Sequence, residues 1–183
     1  SKTPELEQLP YIENCTFTGN NTGQYVTGAG LRAENTIVNI DKSTFTDNSV
    51  FISGMTDTAP PGGGGVQLNR CETLIKDSTF TNNIGAAGGA VNMSNGINRD
   101  EYNLNITNVT FNKNAAVVKG GAIGTGGNFI SNASIENCTF RENKAGQLGG
   151  AFSHYSGLRA NKHKFSNCRF ENNYAKEQGG AIS

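Results

Sequence analysis

A tetrapeptide that begins with Phe and ends with Asn returns six times along the chain, and this repeat constrains the fold more than any other feature. The six Phe residues are Phe17, Phe45, Phe80, Phe111, Phe140 and Phe170. The six Asn residues three positions later are Asn20, Asn48, Asn83, Asn114, Asn143 and Asn173. Successive copies are separated by 28, 35, 31, 29 and 30 residues. A period near 30 residues indicates a repeat architecture in which each unit packs mainly on its neighbours.

Other positions of the repeat are also restricted. An apolar residue lies five positions before each Phe: Ile12, Ile40, Ile75, Ile106, Ile135 and Phe165. A small or apolar residue lies two positions before it: Cys15, Ser43, Ser78, Val109, Cys138 and Cys168. Each repeat closes with a glycine-rich tetrapeptide, strict at Gly88, Gly120, Gly149 and Gly179 and looser at Gly28 and Gly63. Because these positions keep their spacing while the connections vary in length, we expect the connections to lie outside a stacked core.

The repeat predicts strands rather than helices. Helical solenoids need long apolar stripes with a period of 3.6 residues, whereas Gly, Asn and Thr interrupt nearly every helix-forming window here. In the segment ASIENCTF, Ile135, Cys138 and Phe140 are expected to face inward, and Asn137 to turn a corner because Asn tolerates left-handed backbone. We therefore predict an all-β fold, a right-handed single-stranded parallel β-helix (solenoid) of about six coils of roughly 30 residues each. Residues 1–183 would form a single β-helix segment, a fragment of a longer solenoid.

Stacking gives the repeated residues their roles. Coils rise by one strand spacing, about 4.8 Å, so equivalent residues lie directly above one another. The six Phe side chains should form one column, each burial contributing about 1.5–3 kcal/mol, and the six Asn amides should form a hydrogen-bonded ladder. Glycines at the closing tetrapeptide permit positive φ and close approach of neighbouring backbones.

Charge and composition exclude several partners. Lys plus Arg and Asp plus Glu number 15 each, so the formal net charge is zero. This balance argues against nucleic acid as a partner. No apolar run is long enough to cross a bilayer, so we expect no membrane insertion by this segment.

The paired motifs FxxN and GGA[I/V/L] resemble the repeat signature of the chlamydial polymorphic outer-membrane proteins. The resemblance covers essentially the whole chain, and both motifs alternate in one order. That family is similar to autotransporter passengers, which are extracellular parallel β-helices implicated in adhesion. The resemblance implies an extracellular or cell-surface location, a role in structural display and adhesion, and a host-cell receptor or glycan as partner.

The four cysteines leave two alternatives open. Cys138 and Cys168 share a repeat position in consecutive coils and would have Cα atoms about 4.8 Å apart, within disulfide range. The other interpretation is a column of small buried thiols, because Ser and Val fill the same position elsewhere. Cys71 lies outside the pattern. No CxxC spacing exists, so we expect no zinc site, no other metal and no cofactor.

Seven Asn-X-Ser/Thr sequons occur, and most are the chance product of an Asn- and Thr-rich chain. Asn92 and Asn132 lie next to glycine-rich loops and are the better glycosylation candidates. Among the variable connections, the stretch 153–164 gathers His154, Tyr155, Arg159 and Lys162. This loop could bind an acidic polysaccharide, or it could be an ordinary solvated loop.

We expect no enzyme activity and no catalytic residues. Glycosidases need paired carboxylates about 5–10 Å apart, and the Asp residues here fall at scattered positions of the repeat. The remaining alternatives are a self-assembling extracellular filament, in which copies of the chain stack through open β-helix ends, and a polysaccharide-active β-helix enzyme.

Overall fold

The computed structural model describes residues 11–23, 27–50, 62–95, 102–127, 131–155 and 162–183. These residues form 23 short strands and no helix, numbered β1 to β23 in chain order. The strands associate into four parallel sheets, here called A to D, and each coil contributes one strand to each sheet in turn. The chain is therefore a parallel β-helix, and the predicted all-β solenoid is confirmed.

The strands of sheets A and B run as follows. Sheet A contains β1 (Tyr11–Glu13), β5 (Ile37–Asp41), β9 (Glu72–Lys76), β13 (Tyr102–Thr107), β17 (Ser131–Glu136) and β21 (His163–Ser166). Sheet B contains β2 (Thr16–Thr18), β6 (Thr44–Thr46), β10 (Thr79–Thr81), β14 (Thr110–Asn112), β18 (Thr139–Arg141) and β22 (Arg169–Glu171).

Sheets C and D complete each coil. Sheet C contains β3 (Asn21–Thr22), β7 (Ser49–Val50), β11 (Ile84–Ala87), β15 (Ala115–Lys119), β19 (Lys144–Ala145) and β23 (Tyr174–Ala175). Sheet D contains β4 (Leu31–Glu34), β8 (Val66–Asn69), β12 (Val91–Asn95), β16 (Ile123–Gly127) and β20 (Phe152–Tyr155).

The number of coils requires a small correction. Sheets A, B and C have six strands each, but sheet D has five, and the sixth coil closes only with an isolated bridge between Phe152 and Ile182. Among the residues that the structure describes, complete four-strand coils therefore number five, and four coils have neighbours on both sides. The expected count of about six was slightly too high because it counted Phe residues rather than closed turns.

Left-handed residues make the corners between sheets. At the corner between sheets A and B, φ is positive at Asn14, Lys42, Asp77, Asn108, Asn137 and Asn167, with values from 44° to 57°. Asn and Asp adopt this conformation at little cost, because their short side chains bond locally. Lys42 adopts it without that help.

The glycine tetrapeptide makes the turn between sheets C and D. The first glycine of each strict copy has positive φ, as at Gly120 (65°). Where another coil follows, the second glycine has no room for a side chain: a Cβ on Gly121 would collide with the carbonyl oxygen of Gly150 in the next coil and with the backbone of Lys144. Glycine is required here by the close approach of two coils.

The core lies inside the coils. It is built from columns of inward-facing residues, among them Ile40, Ile75, Ile106 and Ile135, which are at most 1% exposed. No helix in the part of the chain that the structure describes is long and apolar enough to cross a membrane.

Candidate functional site

The six repeat Phe residues form one continuous column in sheet B. Register pairs each Phe with the Phe of the next coil. Their ring centroids lie 4.5–5.2 Å apart with interplanar angles of 3–16°. Phe45, Phe80, Phe111 and Phe140 are fully buried. The stack is a structural spine, and it leaves no aromatic face of these four residues open to a ligand.

The repeat Asn residues form the predicted kind of ladder beside the Phe column. Each Nδ2 donates to Oδ1 of the Asn in the next coil at 2.8–3.0 Å. From the second coil onward, Nδ2 also donates to the carbonyl of the Phe in the preceding coil at 2.9–3.1 Å. Each Oδ1 from Asn48 onward also accepts the backbone N–H of the preceding Asn. The amides are therefore committed to one another, and the ladder acts in folding rather than in binding.

The two histidines lie inside the solenoid rather than on a surface loop, which corrects the expectation for His154. Register continues the inward column Leu68, Met93 and Thr125 into His154. The inward column Leu104 and Ala133 likewise continues into His163. The two imidazole rings lie 4.4 Å apart between sheets D and A. Because His154 faces the interior, it cannot contribute to a ligand site on the loop.

Burial disfavours the protonated form of both histidines by lowering their pKa values. Burial, the neighbouring His163 and Lys119 lower the pKa of His154 to about 4. Burial also lowers the pKa of His163. His163 Nδ1 accepts the backbone N–H of Ala133 at 3.2 Å, so its Nε2 carries the ring proton. That Nε2 is buried without a hydrogen-bond partner.

Tyr155 and Lys162 lie outside the core. Tyr155 is 60% exposed, and Lys119 Nζ lies 4.1 Å from the centre of its ring, a cation–π contact. Burial lowers the pKa of Lys119. Lys162 is exposed, and Arg159 lies outside the described residues. Of the residues predicted for the loop site, Tyr155 and Lys162 therefore face outward, whereas His154 faces inward.

All four cysteines are free thiols, so the alternative of a Cys138–Cys168 disulfide is not realised in this structure. Each Sγ instead donates to the carbonyl two residues before it across a corner, for example from Cys138 to Glu136 at 3.1 Å. Cys71 lies outside the position two before the repeat Phe, but it makes the same contact after the left-handed Arg70, at the corner between sheets D and A. Burial raises the pKa of Cys138 to about 12, which leaves its thiol unreactive.

The structure contradicts one glycosylation candidate. Asn92 is 3% exposed and packs beside Gln67, and its amide is therefore inaccessible in the folded chain. Asn132 is half-buried in β17 and donates from Nδ2 to Asn103 Oδ1 at 3.3 Å. Glycosylation of Asn132 therefore remains a prediction, at a strand position that is less exposed than a loop.

Alignment of the repeats would have located the histidine pair. His163 lies seven residues before its repeat Phe, as Leu104 and Ala133 do, and His154 lies five residues after the first glycine of its tetrapeptide, as Met93 and Thr125 do. Within the described ranges, no three His, Cys, Asp or Glu side chains converge on a point that could hold a metal ion.

Comparison with known proteins identifies the type of repeat in two segments of the chain. A family profile described as the Chlamydia polymorphic membrane protein (Chlamydia_PMP) repeat matches residues 108–126 and 167–183. No curated protein and no solved structure gives a significant match to the chain. Both matched segments run from the corner residue before the repeat Phe to the glycine tetrapeptide and beyond, which is the part of the coil that carries the Phe column, the Asn ladder and the glycine turn. Residues 108–126 and 167–183 are therefore chlamydial polymorphic membrane protein-type repeats within a parallel β-helix.

Proposed function

We propose that this chain is part of a surface-exposed, passenger-like β-helix that displays binding surfaces outside the cell and takes part in adhesion. The match to the polymorphic membrane protein repeat carries this proposal, because it joins the repeat to a membrane-protein family. The parallel β-helix is compatible with it, since a stack of coils is a rigid spacer about 4.8 Å long per coil.

The interior of the solenoid cannot provide the binding surface. Four of the repeat Phe residues and four of the Asn residues are fully buried, and the inward columns leave the described core closely packed. A partner would therefore contact outward strand residues and the connections between sheets. This favours recognition of an extended surface such as a host-cell receptor or glycan.

A cell-binding assay tests the proposal. Fluorescent beads coated with the 183-residue chain should adhere to cultured host cells, and soluble chain should compete. Beads coated with heat-unfolded chain are the control. Antibodies against this chain should also label intact cells of the source organism, and labelling only after permeabilisation would rule out surface display.

A further inference from the structure

The outer face of sheet A contains a groove that follows from the register of its first three strands. Tyr11, Asn39 and Leu74 lie side by side in consecutive coils. Glu13, Asp41 and Lys76 form a second row of the same kind. In each row a short side chain of β5 lies between longer side chains of β1 and β9. The outward direction of β5 is fixed because its alternate residues Val38 and Ile40 belong to the core.

The notch between these side chains forms a cavity. Its volume is about 390 Å³, and it is lined by Tyr11, Glu13, Asn39, Leu74 and Lys76. That volume lies at the lower end of the range of about 300–1,000 Å³ that small-molecule sites occupy. The side walls come from the first and third coils, which are two strand spacings, about 9.6 Å, apart. The groove therefore has room for one extended chain laid along β5.

The buried carboxylate of Asp41 holds the two side walls of the groove in place. Asp41 is 3% exposed, and its Oδ2 accepts the hydroxyl of Tyr11 at 2.8 Å and lies 3.6 Å from Lys76 Nζ. The pKa of Tyr11 is raised because its hydroxyl donates to this carboxylate. The aromatic ring is thus held by its hydroxyl while 46% of the residue remains exposed. A fixed ring loses little conformational entropy when a ligand binds.

The charges of the groove indicate the chemistry of its ligand. Two carboxylates, Glu13 and Asp41, are balanced by Lys42 and Lys76, which lie 3.4–3.8 Å from them. A strongly anionic ligand would meet the carboxylates, and a cationic ligand would meet the ammonium groups. A neutral ligand with both hydroxyl groups and an apolar C–H face fits better, because Tyr11 and Leu74 supply apolar surface beside the polar groups.

An extended peptide fits less well than a sugar chain. Peptides add to sheets through free backbone groups at an edge. The floor of the groove is β5, whose backbone is paired on one side with β1 and on the other with β9. Only side chains face the groove, and Asn39 and Asp41 on its floor are at most 3% exposed. The exposed carboxylate of Glu13 and the half-buried ammonium group of Lys76, beside the ring of Tyr11, suit the hydroxyls and C–H face of a saccharide.

We propose that the groove of Tyr11, Glu13, Asn39, Leu74 and Lys76 binds a neutral, hydroxyl-rich sugar chain, an inference that rests on the proposed adhesive function and specifies its ligand class.

Affinity electrophoresis of the full 183-residue chain tests this inference. Native gels contain a neutral mannan, galactan or β-glucan, and parallel gels contain heparin. At least one neutral polysaccharide should retard the wild-type chain, and heparin should not. Tyr11→Ala should weaken the retardation about tenfold, which corresponds to about 1.4 kcal/mol, because the contact of the sugar with the aromatic ring is lost. Leu74→Ala should weaken it by a smaller factor.

Tyr174→Ala is the matched control, because Tyr174 is exposed on sheet C, far in sequence from the groove. It should leave the retardation unchanged. The melting temperature of each variant checks its folding, and if Tyr11→Ala is unstable, Leu74→Ala decides. The proposal is overturned if no neutral polysaccharide retards the wild type, if heparin alone does, or if Tyr174→Ala weakens binding as much as Tyr11→Ala. Retardation abolished by an added peptide library but not by free oligosaccharide would also overturn it.

The bead assay separates this proposal from the proposed function. Beads that adhere to host cells, coated with a wild-type chain that no neutral polysaccharide retards, would refute the groove while leaving adhesion intact. Retardation by a neutral glycan with no adhesion of any bead would support the groove and refute host-cell adhesion.

Discussion

The two sides of the β-helix follow different rules. On the side of sheets B and C, every coil repeats the same Phe and the same Asn in the same register. On the side of sheets D and A, the inward column changes from Leu68 to Met93, Thr125 and His154. The connections between these sheets also vary in length.

The difference shows which interactions require identity. Parallel ring stacking and an amide ladder work only when the residue above and the residue below are the same, because each Asn both donates to and accepts from its neighbour. Aliphatic packing requires only a similar volume. The Phe and Asn columns therefore set the register of the coils most strictly. The column of Leu68 and His154 can accept substitutions, although the Ile column of sheet A is also nearly uniform. The connections before and after sheet D vary in length and can accept insertions.

The largest expected effect comes from closing the space between two coils at the glycine turn. Gly121→Val would place a side chain against the carbonyl of Gly150, which is backbone and cannot move aside. We expect a loss of at least about 4 kcal/mol, sufficient to unfold the neighbouring coils. Thermal unfolding followed by circular dichroism measures it. Gly23→Val is the control, because a Cβ there meets nothing within 4 Å, and an equal loss in both variants would contradict the role of close coil contact.

The second-largest expected effect comes from a substitution in the Asn ladder on the side of sheets B and C. Asn114→Leu removes the four hydrogen bonds that the Asn114 side chain makes with Asn83, Asn143 and the carbonyl of Phe80. We expect a loss of about 3–5 kcal/mol, since each buried hydrogen bond contributes about 0.5–1.5 kcal/mol. Urea unfolding measures it. Asn105→Leu, on the outward face of sheet A, should change stability by less than about 0.5 kcal/mol; a similar loss there would show that the ladder has no special weight.

A third, smaller effect concerns the variable side. His154 has a pKa lowered from 6.5 to about 4, and the pKa of His163 is also lowered. The unfolded chain therefore binds more protons than the folded chain in this range, so stability is fully present above pH 6.5 and is lost as pH falls toward 4. We expect the melting temperature to fall over this window. Because both rings are only half-buried, solvent screening keeps the loss below that of Asn114→Leu.

The double variant His154→Met, His163→Leu isolates this effect, because Met93 and Leu104 fill the same columns in other coils. Carboxylates also titrate in this range, so the difference between wild type and variant is the relevant quantity. The variant should show a flatter dependence of melting temperature on pH. Parallel curves for the two proteins would show that the histidines do not contribute.

The uniform side could be read from the sequence because its chemistry is periodic. The Phe and Asn positions, the left-handed corner at Asn137 and the glycine turn at Gly120 all follow from spacing and residue type. The variable side could be read less well, since its residues share only size. His154 was assigned to a loop because it is polar, although its repeat position matches Met93.

The groove on sheet A was hidden for a different reason. It depends on three unlike residues, Tyr11, Asn39 and Leu74, at one repeat position. A search for repetition discards such a position, because nothing there recurs. Once the register of the coils is known, residues that differ between coils at one outward position show where the outer surface has grooves and ridges. Residues that are the same in every coil at one inward position show the core.

The smallest expected effect concerns Lys42, which lies at a described corner between sheets A and B where the other coils have Asn or Asp. Lys42 has φ of 44°, where the other five corners of this kind have Asn or Asp. A side chain without a short polar group is disfavoured in this region by about 1 kcal/mol. The exposed contact of Lys42 with Glu13, at 3.4 Å, offsets little of that cost. Lys42→Asn should therefore stabilise the fold by about 0.5–1 kcal/mol. The reciprocal change Asn137→Lys should destabilise it by a similar amount, and urea unfolding of both variants measures the pair. If both changes leave stability unaltered, corner residue type would be unimportant, and the register would depend on the Phe and Asn columns alone.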